Sequence, residues 1–225
     1  MTAPDSSALL SRMRALPWHR VAGVGAGVAV VVVLLLGLLV RLRVIQEEID
    51  AEWMAEVLEL RSPFWEVPSR ALDFLGGGWF AIVAVPLGIA AVFLLRRRPR
   101  AALVFVGASA MSAVIVQALK VLFSRARPDD ILLDLHSGAY PSGHVTNAAT
   151  VVVVLALLVG RAWVLIPGLG YVVLMALSRT YLGAHWVTDT LGGALLGAAV
   201  GVGAWAIFGP ILHSERMQRR ASVGP

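Results

Sequence analysis

Six apolar runs, each about 15 to 22 residues long, divide this chain, and that length is near what a helix needs to cross a hydrocarbon core of roughly 30 Å. They occupy residues 21–40, 79–95, 101–119, 145–159, 163–177 and 187–208. The predicted fold class is all-α, a six-transmembrane helical bundle with an amphipathic extracytoplasmic segment between the first two spans. With 58% hydrophobic residues in 225 and a mean hydropathy of +0.80, an ordinary soluble domain is excluded. The first run is too long for a cleaved signal peptide, and no small-x-small cleavage site follows it. There is no cysteine, so disulfides and thiolate metal sites are excluded as well.

The net charge of +5 invites a nucleic-acid reading, but the basic residues form no single patch. They sit in short clusters between apolar runs, which fits membrane topology and implies no nucleic-acid partner. With both termini in the cytoplasm, eleven of the 19 basic residues lie inside, including Arg96, Arg97, Arg98 and Arg100. Three of the eight outside are Lys120, Arg127 and Arg179. Of the 19, 18 are Arg and only Lys120 is Lys, so a compact ammonium is retained at that one place in an Arg-rich composition.

Between the first two runs, apolar residues at 45, 49, 53, 57 and 60 alternate with Glu47, Glu48, Asp50, Glu52, Glu56 and Glu59. This is helical amphipathic spacing. Its acidity argues against anionic headgroups, and the expectation is a solvated helix packed over the bundle, with a lid guiding lipid access as the alternative. Pro63, Pro68 and Gly76-Gly77-Gly78 are expected to break the pattern before the second span.

Three polar clusters stand at the ends of apolar runs: K-x6-R-P at Lys120, Arg127 and Pro128, P-S-G-H at 141–144, and S-R-x5-H-x3-D from Ser178 to Asp189. Lys120 and Arg127 are seven apart, so a continued helix places both on one face until Pro128 stops it. Pro141 fits the first turn of the following helix. The free N–H groups there bind anions, Gly143 lets a phosphoryl group approach closely, and the Ser142 hydroxyl can donate. His185 and Asp189 are one helical turn apart, so the carboxylate can accept the Nδ1–H and leave Nε2 free as a nucleophile. A metal site is the rival use of His and Asp, but three nearby cations already supply the charge a metal would bring.

In this order the clusters resemble the signature of the type 2 phosphatidic acid phosphatase family, which includes membrane lipid phosphatases and, more distantly, vanadium haloperoxidases. The resemblance implies that His185 attacks phosphorus to form a phosphohistidine, oriented by Asp189. His144 protonates the leaving oxygen and then activates water. Lys120, Arg127, Arg179, Ser142 and Gly143 hold the phosphoryl oxygens. No metal and no cofactor are implied, and the partners are a lipid substrate and the bilayer. The expected layout is a cytoplasmic tail at 1–20, a six-span phosphatase domain at 21–208 and a second cytoplasmic tail at 209–225. The protein is thus placed in the cell membrane with its active site extracytoplasmic.

Among family substrates, a polyprenyl diphosphate ranks first, ahead of phosphatidylglycerol phosphate and phosphatidic acid. Arg125 offers a second phosphate contact or, equally, a snorkelling anchor. A lipid phosphotransferase would use the same site, a haloperoxidase a similar anion pocket, and a non-enzymatic lipid carrier would not need His185. His19, His136 and His213 have no motif partner.

Overall fold

The apolar runs do become helices. A computed structural model describes residues 18–44, 46–135 and 137–223, and no strand occurs among them. Helix α1 is Trp18–Arg41, and a π-helical turn at Gln46–Asp50 leads into α2, Ala51–Glu59. Next come α3, Pro63–Gly76, then a second π turn, Phe80–Ala84, running into α4, Val85–Leu95. The remaining helices are α5, Pro99–Phe123, α6, Gly143–Val159, α7, Leu165–Tyr181 after a short 3-10 turn, and α8, Val187–Val223.

Four helical stretches are long and apolar enough to cross a membrane: Trp18–Arg41, Pro99–Phe123, Ala162–Tyr181 and Val187–Glu215. The pair Pro63–Gly76 and Phe80–Leu95, bent by 47°, makes a fifth if counted as one span, and Gly143–Val159 is apolar but shorter. The outer surface is what a lipid solvent selects. On α1, Val24, Val28, Val31 and Leu35 form one face and are each more than half exposed, an apolar patch no monomeric soluble protein presents.

The later part of the connection between the first two runs departs from expectation, because residues 63–76 are helical. Pro63 takes the first helical position, where its missing N–H costs nothing, and Pro68 is accommodated inside the same helix. The last helix also does not stop at Phe208. It continues through Pro210, and part of the segment expected as a tail packs back on α5, where Glu215 Oε1 accepts the Arg100 N–H at 2.7 Å and Leu212 is buried. The predicted tail at 1–20 lies mostly outside the described residues, as do Ile45 and His136. His19 packs its ring 4.5 Å from that of Trp205.

The bundle centres on the contact between α6 and α8, and glycines make it close. A Cβ at Gly193 would come within 2.7 Å of the Ser142 carbonyl oxygen, and one at Gly201 within 2.8 Å of Val153 Cγ1. At Gly197 it would collide with the Thr146 carbonyl oxygen. These three residues, spaced four apart, form the small-residue stripe that lets two helix backbones approach in lipid. The approach has a chemical result: the Ser142 N–H donates to the Asp189 carbonyl at 3.0 Å. Two of the three polar clusters are thereby fixed against each other.

Candidate active site

A cavity of about 200 Å³ opens at one end of the bundle, and Lys120, Arg127, Gly143, His144, Arg179 and His185 line it together. All three clusters thus meet at one site. Lys120 reaches it from the last turn of α5, largely buried, with Nζ donating to the Gly138 carbonyl. The helix does not carry on to Arg127 as the seven-residue spacing suggested. It ends at Phe123, and Ser124 turns left-handed at φ 43° while its N–H donates to the Lys120 carbonyl at 2.9 Å. Arg127 arrives instead on a returning loop. Its Nε donates to the Ser137 carbonyl at 3.0 Å and its Nη1 to the Ala184 carbonyl.

Ser142 occupies the N-cap position of α6, with Gly143 as the first helical residue, so Pro141 precedes the first turn rather than lying in it. The Ser142 side chain makes no capping bond. Ser142 is fully buried and does not itself line the cavity, and its Oγ has no hydrogen-bond partner. A Cβ on Gly143 would meet only ordinary contacts, Val116 Cγ1 at 3.5 Å and Lys120 Cε at 4.0 Å. Gly143 is therefore not required by packing against protein.

Arg179, at the end of α7, is completely buried. Its Nη1 donates to Asp73 Oδ1, while Nε and Nη2 have no partner. Asp73 balances the charge of Arg179, but two of its buried donors stay unsatisfied, which is costly unless a further acceptor meets them. Asp73 was not anticipated. Its Oδ1 also lies 3.0 Å from His144 Nε2, so one carboxylate holds both residues. No spacing in the sequence ties residue 73 to residue 144. The one local signal was Gly76-Gly77-Gly78, for a Cβ at Gly77 would collide with the His144 ring. Glycine is needed there so the end of α3 can lie flat against that imidazole.

His185 sits in the turn before α8, almost fully buried, with Nε2 3.5 Å from Arg127 Nη1 and Nδ1 3.6 Å from Asp189 Oδ2. The second separation is longer than a hydrogen bond, a looseness common in catalytic pairs before substrate binds. Burial first, then the nearby Lys120, Arg179, Arg127 and His144, hold the His185 pKa well below the ordinary 6.5. The imidazole is therefore neutral, with its lone pair available. Asp189 lies behind it, outside the cavity, and accepts the Trp186 N–H at 2.9 Å.

Arg125 does not line the cavity, and it does not snorkel. It is buried, with Nη1 2.5 Å from Asp189 Oδ1 and Nη2 2.6 Å from Asp50 Oδ2. The second-phosphate contact is thereby overturned, because both guanidinium nitrogens that could serve it are committed to carboxylates. Asp50 was assigned to a solvated acidic face, yet it is fully buried, and the buried side of this segment runs through Asp50, Met54 and Val57. Ile49 and Leu60 of the expected apolar face are exposed. A carboxylate with a guanidinium partner turned the face that hydrophobicity alone would have set. Among the described residues, no three His, Asp or Glu side chains converge as a metal-ligand set.

Residues 101–211 match the PAP2 superfamily, a span that holds all three clusters. Phosphatidylglycerophosphatase B of Bacillus subtilis is 30% identical over 174 residues, covering 73% of this chain and 85% of that protein. Decaprenylphosphoryl-5-phosphoribose phosphatase of Mycobacterium tuberculosis is 36% identical over 141 residues, covering 59% of this chain and 75% of that one. The crystal structure of the transmembrane PAP2 type phosphatidylglycerolphosphate phosphatase from Bacillus subtilis superposes with a TM-score of 0.71 at 27% identity, over 80% of this chain and 96% of that one. A relative matched over most of its length, a shared fold and one cationic cavity built from three separated clusters lead to one assignment: this chain is a membrane protein of the PAP2 superfamily of phosphatases.

Proposed function

We propose that the protein removes a phosphoryl group from a membrane lipid through a phosphohistidine. The observation that carries this reading is the cavity itself, which Lys120, Arg127 and two histidines line together with buried Arg179, two of whose nitrogens have no hydrogen-bond partner. A tetrahedral oxyanion is the ligand that such donors fit. The neutral His185 Nε2 forms a bond to phosphorus as the ester P–O bond breaks, and His144 gives a proton to the departing lipid oxygen. Water then attacks phosphorus and passes its proton to His144, the N–P bond breaks and orthophosphate leaves. Lys120, Arg127 and Arg179, with the Gly143 backbone and Ser142, stabilise the charge on the equatorial oxygens throughout. Asp189 stabilises the imidazolium side of His185, and Asp73 orients His144.

The charge these cations supply makes a metal unnecessary. Activity is expected to survive EDTA, and vanadate is expected to inhibit as a trigonal-bipyramidal mimic. Loss of activity in chelator, restored by a divalent ion, would refute a metal-free route.

The cavity wall bears on the substrate. Below the cations the wall is mostly apolar, with Ile82, Ala113 and Val116, and carries the polar Gln117, Ser112 and Asn147 about one to two helical turns along α5 and α6 from the phosphate site. The first-ranked polyprenyl diphosphate has a bare hydrocarbon after its phosphates, and its support from Arg125 is gone. A lipid phosphomonoester with a hydroxylated spacer would meet those three polar groups, and the two relatives named above are phosphatases whose names carry glycerol or ribose. An undecaprenyl-diphosphatase of Sulfolobus acidocaldarius, 40% identical over 81 residues, keeps the polyprenyl diphosphate as the alternative. The check is a side-by-side kcat/KM comparison of phosphatidylglycerol phosphate, phosphatidic acid and a polyprenyl diphosphate. Preference for the diphosphate would return the substrate to the polyprenyl class and leave the phosphatase reading intact.

Six passes, counting the bent pair and Gly143–Val159 as spans, put both termini in the cytoplasm by the distribution of basic residues. The cavity then faces outward, and the segment between the first two spans lies extracytoplasmic. A reporter fused after Pro225 is expected to be cytoplasmic, and a cysteine at Asp129 is expected to react with an impermeant thiol reagent from outside. The reverse pattern would place the site in the cytoplasm.

A further inference from the structure

We propose that Asp50 is a positioning residue for the nucleophile, acting from the extracytoplasmic segment through Arg125 and Thr188 onto Asp189. The inference rests on the phosphohistidine reading above. Asp50 closes the π-helical turn before α2 and has no exposed surface. Its Oδ2 accepts from Arg125 Nη2 and from Thr188 Oγ1, each at 2.6 Å, and its Oδ1 accepts the Thr188 N–H at 3.0 Å. That N–H belongs to the first turn of α8, whose free amides have no partner within the helix. Asp50 therefore caps the helix that carries Asp189, from a segment 138 residues away.

The same carboxylate also fixes the guanidinium. With Nη2 of Arg125 held by Asp50, Nη1 is directed to Asp189 Oδ1 at 2.5 Å and Thr188 Oγ1 at 2.8 Å. The guanidinium is further confined by the Trp186 ring, 5.5 Å from its centroid. Asp189 is thus held on Oδ1 by Arg125 and on Oδ2 by the Trp186 N–H, with His185 Nδ1 3.6 Å from Oδ2. There is a charge consequence too. Asp189 paired with Arg125 alone would be neutralised by it. A second carboxylate on the same guanidinium leaves the trio one charge negative, and that charge stands behind the imidazole as it becomes cationic on phosphoryl transfer. Neither hydrogen-bond partner of Asp50, Arg125 or Thr188, lines the cavity, so its influence is on attack and not on phosphate binding.

The test uses Asp50→Asn, which keeps the shape and an acceptor for Thr188 but removes the charge. The full-length protein in detergent is assayed by rapid-quench labelling with a radioactive lipid phosphate, alongside wild type, Asp189→Asn and the double variant. Wild-type labelling at His185 checks the underlying phosphohistidine reading separately. In Asp50→Asn, kcat is expected to fall about 10- to 100-fold, the loss seen when partners of an active-site ligand are removed, with KM, vanadate inhibition and melting temperature close to wild type. On the Asp189→Asn background, Asp50→Asn is expected to add little, since both act through one carboxylate. Wild-type kcat in Asp50→Asn, additive losses in the double variant, or a loss explained by a lower folded fraction would each overturn the proposal.

Discussion

Replacing His185 with alanine is expected to abolish turnover, by at least about 10³-fold, because it removes the atom that bonds to phosphorus. The protein should remain folded, since its stability resides in packed apolar helices far from this turn. Rapid quench with a labelled lipid phosphate should give an acid-labile, base-stable adduct in wild type and none in His185→Ala. Labelling that persists in His185→Ala would sink the assignment. His144→Ala should behave differently. With a substrate whose leaving group needs no proton, the adduct should form and then accumulate, because the residue that activates water is missing. The pH dependence follows from the buried, cation-surrounded setting of His185. Its pKa lies below the ordinary 6.5, and the neutral form is the one that attacks. Lowering the pH through 6.5 should therefore not halve kcat/KM for adduct formation, the quantity that reports the free enzyme, once the titration of the substrate phosphate itself is divided out. A rate that titrates at the ordinary histidine value would mean that His185 is solvated and unperturbed.

The second large effect is expected far from the chemistry. Gly197→Val places a branched side chain where even a Cβ would collide with the Thr146 carbonyl oxygen and lie 2.7 Å from Ala149 Cβ. The neighbours are backbone and a short side chain, so neither can swing aside. Helices α6 and α8 must separate, and the Ser142 N–H to Asp189 carbonyl bond that joins two parts of the site is lost with them. Activity should fall to background, and the folded yield in detergent should drop sharply. Gly170→Val is the control, since nothing lies within 4 Å of a Cβ there. If Gly197→Val folds and turns over normally, the α6–α8 contact is not what aligns the catalytic clusters.

The spans and the cation-histidine clusters were legible because both are written in short, contiguous patterns. An apolar run of bilayer length has few alternatives to a helix, and Lys120, Ser142, His144, Arg179 and His185 each stand beside a run that fixes their depth. Where sequence reasoning went astray, the deciding partner was remote. Lys120 and Arg127 share the site through loop carbonyls at Ser137, Gly138 and Ala184, and not through a shared helix face, because the chain turned left-handed at Ser124. Hydrophobic periodicity put Asp50 on the solvated side, since a sequence does not show that Arg125 waits 75 residues away.

Asp73 escaped notice for the same reason, and Gly197 read as one more small residue in an apolar run. The sequence by itself determined the helices and the chemistry offered by the cation and histidine clusters beside them, both of which depend on residues within a few turns of one another. Only the tertiary structure decided which carboxylates serve that chemistry. A buried charge is stable solely beside its counter-charge, and that pairing is settled when distant segments pack: Asp73 on His144 and Arg179, Asp50 and Asp189 on Arg125.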